Sequence, residues 1–324
     1  MNLVEKAVSF GGTLAPLVIP ETVGAMNPSI FTDQDGDILV NVRVVNYTLY
    51  HSENQQRFPS RWGPLSYLHP EQDIRLATDN HIVRLNNKLE IVNHTQVEML
   101  QLHQPIWEFH GLEDARLVQW NNQYSLIGVR RDVDTIGTGR MEYTHIDLNK
   151  KKWTATETHR VRIPAPEPDN SYCEKNWYPI NDKPHHFVKW TNPTEIVYAN
   201  PNKPECTQIS LHGDMRPIPD QRGSSQLIPY HGVYLCITHE VDLFKNYLNQ
   251  KDAIYRHRLV VWDKAFNVIG YSQPFSFLDG RVEFCVGATV NNDDLLISFS
   301  FQDNAAFVLR TPHAVVEDMI LEAL

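Results

Sequence analysis

The sequence lacks most features of metal-binding, disulfide-bonded and membrane proteins. Its 324 residues include four cysteines, with no Cys-x-x-Cys pair and no histidine at metal-ligand spacing. This argues against a zinc knuckle or a disulfide framework and favours a reducing compartment. No stretch approaches the roughly 20 apolar residues of a membrane span, and residues 1–20 contain no clean signal sequence. We therefore expect a cytoplasmic protein with no membrane span, no bound metal and no other cofactor.

Positive charge is also scarce. Lys and Arg number 29 against 39 Asp and Glu, so the net charge is -10, and no long basic run occurs. Such a chain is a poor match for nucleic acid or an anionic membrane. The sequence contains no phosphate-cradling glycine loop, no Gly-x-Ser-x-Gly and no His-Glu-x-x-His. These absences argue against nucleotide hydrolysis, serine hydrolase chemistry and zinc proteolysis.

Short alternating apolar runs separated by turn residues recur along most of the chain. Five of them share a plan in which a polar start leads to an apolar strand, a tight turn and a second strand. They begin at Asn27, Glu113, Asn176, Ser224 and Val282. This repetition predicts an all-β, five-bladed β-propeller that spans residues 1–324 as one domain, with about 60 residues per blade. A β-sandwich, or a pair of them, is the alternative.

The C-terminus has a different periodicity. Apolar residues recur at helical spacing from Val315 to Leu324, and Thr311 and Pro312 suit a helix start. We expect a short helix at about 312–324, packed on the outside of the propeller. Residues 164–181 are rich in Pro, Asp and Asn and predict a long surface loop, where ligand-contacting groups tend to lie.

The polar starts of different blades can converge, because the first strand of each propeller blade lines the central channel. The most informative one contains Glu113, Asp114 and Arg116. Successive strand residues point to opposite faces, so we expect one carboxylate to face the cleft and the other to fix backbone or Arg116. An Asp–Arg turn clamp without a catalytic role is the alternative. Arg43 alternates with valines and needs a partner, for which Asp114 is suitable.

Other polar starts supply further candidate residues. Lys175 and Asn176 precede Trp177, an aromatic face suited to a sugar ring, and Trp107 and Tyr178 are further platforms or core residues. His239 ends an apolar strand and suits a phosphate or hydroxyl group, while Glu240 suits a base. A structural histidine is the alternative.

Glu283 lies between Val282 and Phe284 in an otherwise apolar strand. An unpaired carboxylate would be costly there. We therefore expect Glu283 to be paired with an arginine or with substrate.

These motifs resemble those of the five-bladed propeller clan of inverting β-mannoside phosphorylases, β-1,2-mannosidases and related mannosyltransferases. The matching residues are Asn27 to Ile30 with Arg43, and Gly111 to Arg116, where Ala115 replaces the usual proline. Further runs are similar to a poorly characterised branch that is often associated with glycosyltransferases. They are residues 174–179, 223–226, 239–241, 257–258 and 282–285. The resemblance implies association with glycosyltransferase machinery.

The resemblance also implies roles for individual residues. Asp114 matches the clan's proton donor to the glycosidic oxygen. Phosphorylases of the clan hold phosphate with basic residues, for which Arg131, Arg140, Lys175 and His239 are the candidates here. Hydrolases instead use carboxylates to activate water, for which Glu174, Glu240 and Glu283 are the candidates. Inverting cleavage needs ~6.5–9.5 Å between the acid and any base, which favours residues of different blades.

We therefore expect a carbohydrate-active propeller that cleaves or transfers a β-mannoside-type unit by inverting phosphorolysis, hydrolysis or transfer. Its ligand is a carbohydrate or sugar phosphate, with inorganic phosphate as co-substrate in phosphorolysis. The catalytic candidates are Asp114, Glu240 and Glu283. The substrate-binding candidates are Asn27, Arg43, Asn46, Glu113, Arg116, Lys175, Asn176, Trp177, Ser225 and Asp303. A non-catalytic glycan-binding propeller in polysaccharide assembly and a scaffold for proteins are the alternatives.

Overall fold

The alternating runs of the sequence form antiparallel strands in the computed structural model. It describes residues 1–22, 24–50, 66–68, 75–166, 171–212, 218, 220–245 and 251–324. Strands dominate, as predicted, and the described residues also include two helices. Residues 167–170 of the predicted surface loop lie outside this part of the chain.

The N-terminal half forms one large sheet in two antiparallel halves. After helix α1 (Leu3–Ser9) and strand β1 (Thr13–Pro16), the strands are β2 (Gly24–Thr32), β3 (Ile38–Val45), β4 (Thr48–Tyr50), β5 (Ser66–Leu68), β6 (Leu76–Leu85), β7 (Ile91–Glu98), β8 (Phe109–His110), β9 (Glu113–Trp120), β10 (Gln123–Arg130), β11 (Arg140–Asn149) and β12 (Thr154–Arg162). The order in the sheet is β2-β3-β6-β7-β12-β11-β10-β9, and β8 pairs with β6, while β4 and β5 form a separate two-stranded sheet. Between its two four-stranded halves, β12 and β7 pair in parallel over only a short stretch.

The C-terminal half forms three smaller sheets. The strands are β13 (Tyr178–Pro179), β14 (His186–Trp190), β15 (Thr194–Ala199), β16 (Cys206–His212), β17 (Arg222–Gly223), β18 (Ile228–Tyr230), β19 (Val233–Lys245), β20 (Lys251–Trp262), β21 (Val268–Tyr271), β22 (Glu283–Asn291), β23 (Asp294–Phe301) and β24 (Ala305–Thr311), followed by helix α2 (His313–Ala323). One sheet is β13-β14-β15-β16, a second is β17-β19-β20-β21 with β18, and the third is β1-β24-β23-β22. Strand β1 therefore joins the two ends of the chain in one sheet.

The predicted C-terminal helix is confirmed as α2. Val315, Val316 and Met319 are buried in a core cluster with residues of the last two sheets. Pro312 occupies the N-cap position without a side-chain cap, and Thr311 ends β24 instead of capping the helix as expected. Helix α1 was not predicted, because its seven residues span too little chain for helical periodicity to stand out.

A buried glutamine connects inner strands from different sheets. The Gln226 amide donates to the carbonyl oxygen of Leu117 on β9 at 2.8 Å and to that of Ile30 on β2 at 3.2 Å. Its oxygen accepts from the Ala288 N–H on β22 at 3.0 Å. Because these bonds satisfy backbone groups away from water, they hold the inner strands at one place. Within the described residues, no helix has the length and apolar character needed to cross a membrane.

Candidate functional site

A cavity of about 470 Å³ lies where the polar starts of the strands meet, a size typical of small-molecule sites. It brings together residues that the sequence analysis selected from distant segments. Among the predicted substrate-binding and catalytic residues, those that line it are Asn27, Arg43, Glu113, Asp114, Lys175, Asn176 and Asp303. Three of the four predicted phosphate-binding residues line it as well: Lys175, which was predicted in both roles, Arg131 and His239.

An arginine holds both acids of the second polar start. Arg43 Nη1 lies 2.8 Å from Asp114 Oδ1, and Arg43 Nη2 lies 3.1 Å from Glu113 Oε2. The expected Arg43–Asp114 pair is therefore present. The expectation that only one carboxylate would face the cleft is wrong, since both line the cavity.

A β-bulge explains why both acids reach the cavity. Asp114 has a φ of 52°, in the left-handed region, and the pairing of β9 with β10 shifts register opposite Gly128. An extra residue in a bulge interrupts the alternation of faces. A Cβ at Gly128 would lie 2.5 Å from the Glu113 carbonyl oxygen, so glycine is needed for this close approach.

Asn27 links Asp114 to a second sheet. Its Nδ2 donates to Asp114 Oδ1 at 2.6 Å, and its Oδ1 accepts from Ser300 Oγ at 2.6 Å. Because both ends of the amide are engaged, the Asp114 carboxylate is held in one orientation by Asn27 and Arg43 together.

Left-handed backbone recurs among the cavity residues. The φ angles are 45° at Asn27, 61° at Asn176 and 51° at Asp303, in addition to the 52° of Asp114. Asn and Asp tolerate this region better than other residues with a Cβ, and such conformations cluster at functional sites. Each bend directs a polar side chain toward the cavity.

Electrostatics separates the three carboxyl groups of the cavity. Burial acts to raise the pKa of Asp114, but the Arg43 charge and the Asn27 amide outweigh it, so the pKa falls below its usual value. Burial raises the pKa of Glu113 despite Arg43, and the Asp114 charge adds to the rise. Burial and the Asp114 charge raise the pKa of Asp303 to about 6. Asp114 is therefore the group most readily ionised at neutral pH.

Besides Arg43, three cationic side chains line the same cavity: Arg131, Lys175 and Arg222. Arg131 Nη2 donates to the Tyr172 hydroxyl at 3.0 Å, and its guanidinium lies over the Phe109 ring. Among the described residues, the side chains of Lys175 and Arg222 make no hydrogen bond or ion pair. These two cations are the ones available to an anionic ligand.

His239 lines the cavity as a neutral group. Burial lowers its pKa well below the usual value, and the nearby charges of His257 and Arg222 lower it further. Its Nδ1 lies 2.9 Å from Ser224 Oγ. The imidazole can therefore exchange a hydrogen bond with a ligand, but it does not supply the positive charge expected of a phosphate-binding residue.

Strand alternation directs the two other catalytic candidates away from the cavity. Glu283 is fully buried, and its carboxylate accepts from the backbone N–H groups of Phe277, Leu278 and Gly280 at 2.6 to 2.8 Å. Its strand neighbours Val282 and Phe284 line the cavity instead. The prediction that Glu283 pairs with an arginine or with substrate is thus wrong, because backbone N–H groups bind its carboxylate instead.

Strand alternation also turns Glu240 away from the cavity, since its neighbour on β19 is the cavity residue His239. Its Oε2 accepts from Gln221 Nε2 at 2.9 Å and lies 3.3 Å from Arg258 Nε. Glu240 is not among the residues that line the cavity within the described chain. This position does not suit the predicted role as a base.

Several other predicted binding residues serve the framework. Arg116 is buried and donates to the carbonyl oxygen of Ser224 at 3.0 Å. Ser225 Oγ accepts from the Ile237 N–H at 2.9 Å. Asn46 Oδ1 accepts from the Ala77 N–H at 2.8 Å. Each of these side chains joins neighbouring backbone segments outside the cavity lining.

Two further candidates also lie outside the cavity lining. Arg140 Nη1 donates to the Gly139 carbonyl oxygen at 2.8 Å. Trp177 is 1% exposed, and its indole N–H donates to Glu174 Oε2 at 2.9 Å. Trp177 is therefore a core residue and cannot offer an open sugar platform. Trp107, which the sequence left as either a sugar platform or a core residue, lines the cavity.

Sequence reasoning missed Arg222, Tyr255 and Phe284, which all line the cavity. Arg222 directly precedes the Gly223-Ser224-Ser225 run, and Phe284 directly follows Glu283. For Arg222 and Phe284 the correct strand register would have pointed to the neighbour of a chosen residue, whereas no chosen residue adjoins Tyr255. Within the described residues, no group of three or more His, Cys, Asp or Glu side chains could hold a metal ion.

Solved structures similar to this one are known, although no protein-family model and no curated protein matches the sequence. A β-1,2-mannobiose phosphorylase from Listeria innocua has a TM-score of 0.55 at 16% identity, covering 95% of this chain and 97% of the other. A mannose phosphorylase from Leishmania mexicana, solved with phosphate ion, has a TM-score of 0.53 at 12% identity, with 96% and 92% covered. A glycosyl hydrolase from Bacteroides ovatus has a TM-score of 0.58 at 10% identity, with 90% and 84% covered. At these identities the likeness shows the fold.

Proposed function

We propose that the protein is a carbohydrate-active enzyme that moves a mannose-type glycosyl unit between a β-glycosidic linkage and phosphate, with inversion. The fold shared with two phosphorylases and a glycosyl hydrolase supports this class. Because fold does not fix function, the reaction is argued from the cavity.

In this proposal the fold is a five-bladed propeller. Its blades are β2-β3-β6-β7, β9-β10-β11-β12, β13-β14-β15-β16, β17 to β21, and β22-β23-β24 completed by β1. The two halves of the large sheet count as separate blades because only Ala155–Val97 and Thr156–Glu98 join them. Completion of the last blade by the N-terminal strand would close the ring.

We infer the reaction from one observation: cationic side chains line the cavity together with Asp114. Lys175 and Arg222 line it without side-chain partners among the described residues, and Arg131 lines it as well. The three carboxylates that the resemblance implied for the activation of water, Glu174, Glu240 and Glu283, do not belong to its lining. Basic side chains next to the acid suit a phosphate nucleophile better than water.

Asp114 exchanges the proton in the proposed reaction. In phosphorolysis it gives its proton to the glycosidic oxygen as the C1–O bond breaks, while a phosphate oxygen forms the new bond to C1 from the opposite face. In synthesis the acceptor hydroxyl forms the bond to C1 and its proton passes to Asp114. The lowered pKa of Asp114 keeps it ionised in the free protein, as the synthetic direction requires. In phosphorolysis Asp114 therefore first takes up a proton from the entering dihydrogen phosphate and then passes it to the glycosidic oxygen.

The test is product analysis by phosphorus and proton NMR. The protein is incubated with β-1,2-, β-1,3- and β-1,4-mannobiose, with and without inorganic phosphate. We expect α-mannose 1-phosphate only when phosphate is present, since attack with inversion turns a β-linkage into an α-phosphate. Free mannose without phosphate would indicate hydrolysis, and saturable mannobiose binding without product would indicate the glycan-binding alternative. Association with glycosyltransferase machinery stays a prediction.

A further inference from the structure

A second cavity of about 350 Å³ adjoins the first one. Lys175, Asn176 and Arg222 line both cavities and so form a shared wall. The two cations without side-chain partners among the described residues therefore lie between two separate spaces. A ligand that neutralises them can extend in either direction.

The second cavity has features of a binding surface in its own right. Trp190, at the end of β14, lines it and is 40% exposed, which is high for a tryptophan. Lys189 and Glu195 line it as a pair, with 3.6 Å between Nζ and Oε1. An exposed indole beside polar groups suits a flat ring that also carries hydrogen-bonding groups.

We propose that this second cavity holds the ring-containing substituent of a phosphate ester, whose phosphate lies between Lys175 and Arg222. This inference rests on the proposed function, in which the same cations bind phosphate. It names the phosphorylated substrate more closely: a phosphate that bears a nucleoside or a second sugar, with the ring against Trp190.

The position of the cations favours this ligand over the simpler ones. Inorganic phosphate would satisfy Lys175 and Arg222 but would leave the second cavity and Trp190 unused. A neutral glycan that spanned both cavities would displace water from two exposed cations without neutralising them, which costs free energy. A phosphate ester places its charge at the shared wall and its ring beyond it.

Such a phosphate ester can serve as the donor of the glycosyl unit, with every bond and proton accounted for. The bond between C1 and the phosphate oxygen breaks, and the phosphate ester leaves with the electron pair. The acceptor hydroxyl forms the new bond to C1, and its proton passes to Asp114. Leaving-group charge then develops at Lys175 and Arg222, where it is stabilised.

Isothermal titration calorimetry with anions alone tests the inference without any turnover. The probes are inorganic phosphate, mannose 6-phosphate, and the diphosphates of guanosine, uridine and adenosine. We expect at least one ester to bind about tenfold tighter than inorganic phosphate, and Trp190→Ala to remove that advantage while phosphate binding stays unchanged. Preference for a nucleoside diphosphate or for the hexose phosphate identifies the substituent.

Matched surface variants control for general effects. Phe244→Ala removes another exposed aromatic ring on β19, and Lys203→Met breaks another Lys–Glu pair, with Glu205 at 3.9 Å. Both should bind every probe like the wild type, whereas Lys189→Met should weaken the ester alone. Esters that bind no tighter than phosphate, or an advantage that survives in Trp190→Ala, would overturn this inference and leave the proposed function standing. Phosphate binding that is unaffected by Lys175→Met would contradict the proposed function as well.

Discussion

Arg43 and Asp114, 71 positions apart in sequence, form an ion pair of 2.8 Å at the wall of the 470 Å³ cavity. The same guanidinium reaches Glu113 at 3.1 Å and the Tyr47 hydroxyl at 2.6 Å. One buried cation thus holds two carboxylates that would repel each other without it. The cavity depends on this pair both for its shape and for the ionised state of Asp114.

Removal of that cation should destabilise the protein. Arg43→Met leaves the largely covered carboxylates of Glu113 and Asp114, with side chains 12% and 17% exposed, without this countercharge. We therefore expect the free energy of unfolding to fall by about 3 kcal/mol at neutral pH, the lower end of the range for a buried pair. Urea unfolding followed by tryptophan fluorescence measures it. The loss should shrink at acid pH, because a carboxylate with a lowered pKa contributes stability above its unfolded pKa and loses it as pH falls.

The control for Arg43→Met removes the two negative charges that the substitution leaves without a partner. Adding Glu113→Gln and Asp114→Asn to Arg43→Met should recover part of the lost stability. An Arg43→Met protein as stable as the wild type at pH 7 would mean that the ion pairs contribute nothing to the fold.

Glu283 should matter for stability and not for chemistry. In Glu283→Gln, one carboxylate oxygen becomes an NH₂ group that faces backbone N–H donors, so we expect about 1.5–3 kcal/mol of destabilisation. The midpoint of urea unfolding should fall, while kcat of the folded protein changes little. A large fall in kcat at unchanged stability would restore the catalytic role that the sequence suggested.

Asp303 should give anion binding a pH dependence. Its raised pKa, about 6, leaves it neutral below that pH and negative above it. The affinity for sulfate, which keeps its charge over this range, should therefore fall as pH rises from 5 to 8, on the order of tenfold. Titration calorimetry measures it, and Asp303→Asn should flatten the profile.

The matched control for Asp303→Asn is Glu240→Gln, which changes a carboxyl group outside the cavity lining. It should keep the pH dependence of the wild type. A wild-type affinity for sulfate that is constant between pH 5 and 8 would show that Asp303 does not sense the bound anion.

Gln226→Leu should weaken the junction of the inner strands. It removes the Gln226 partner of three buried backbone groups, the Leu117 and Ile30 carbonyls and the Ala288 N–H, at a cost of about 2–4 kcal/mol in total. Thermal and urea unfolding measure the loss. Gln273→Leu, at an exposed position, is the control and should be close to wild type. Equal stability of the two variants would show that Gln226 does not hold the sheets together.

The sequence was sufficient to predict the strands, the C-terminal helix and the meeting of distant polar segments. Periodicity reports these features because each segment must bury an apolar face. It could not predict the faces of individual site residues. Asp114 lies on a bulge, which reverses the expected alternation, while Glu240 and Glu283 lie one residue away from cavity positions. A one-residue error in register exchanges the two faces of a strand.

The second cavity could not be predicted from the sequence, for a related reason. Trp190 and Arg222 come from different sheets, and each looks like an ordinary strand-end residue in the sequence. Only the packing of the sheets brings Arg222 next to Lys175 and Asn176. Long-range packing of this kind leaves no local pattern.

The most direct test compares Asp114→Asn with Glu240→Gln in phosphorolysis of the β-mannobiose that the wild type cleaves. We predict that kcat/KM falls by about 10²–10⁴ in Asp114→Asn, which cannot exchange the proton, and stays within about threefold of wild type in Glu240→Gln. Circular dichroism establishes that both variants are folded. Near wild-type activity in Asp114→Asn, or an equal loss in both variants, would contradict the account.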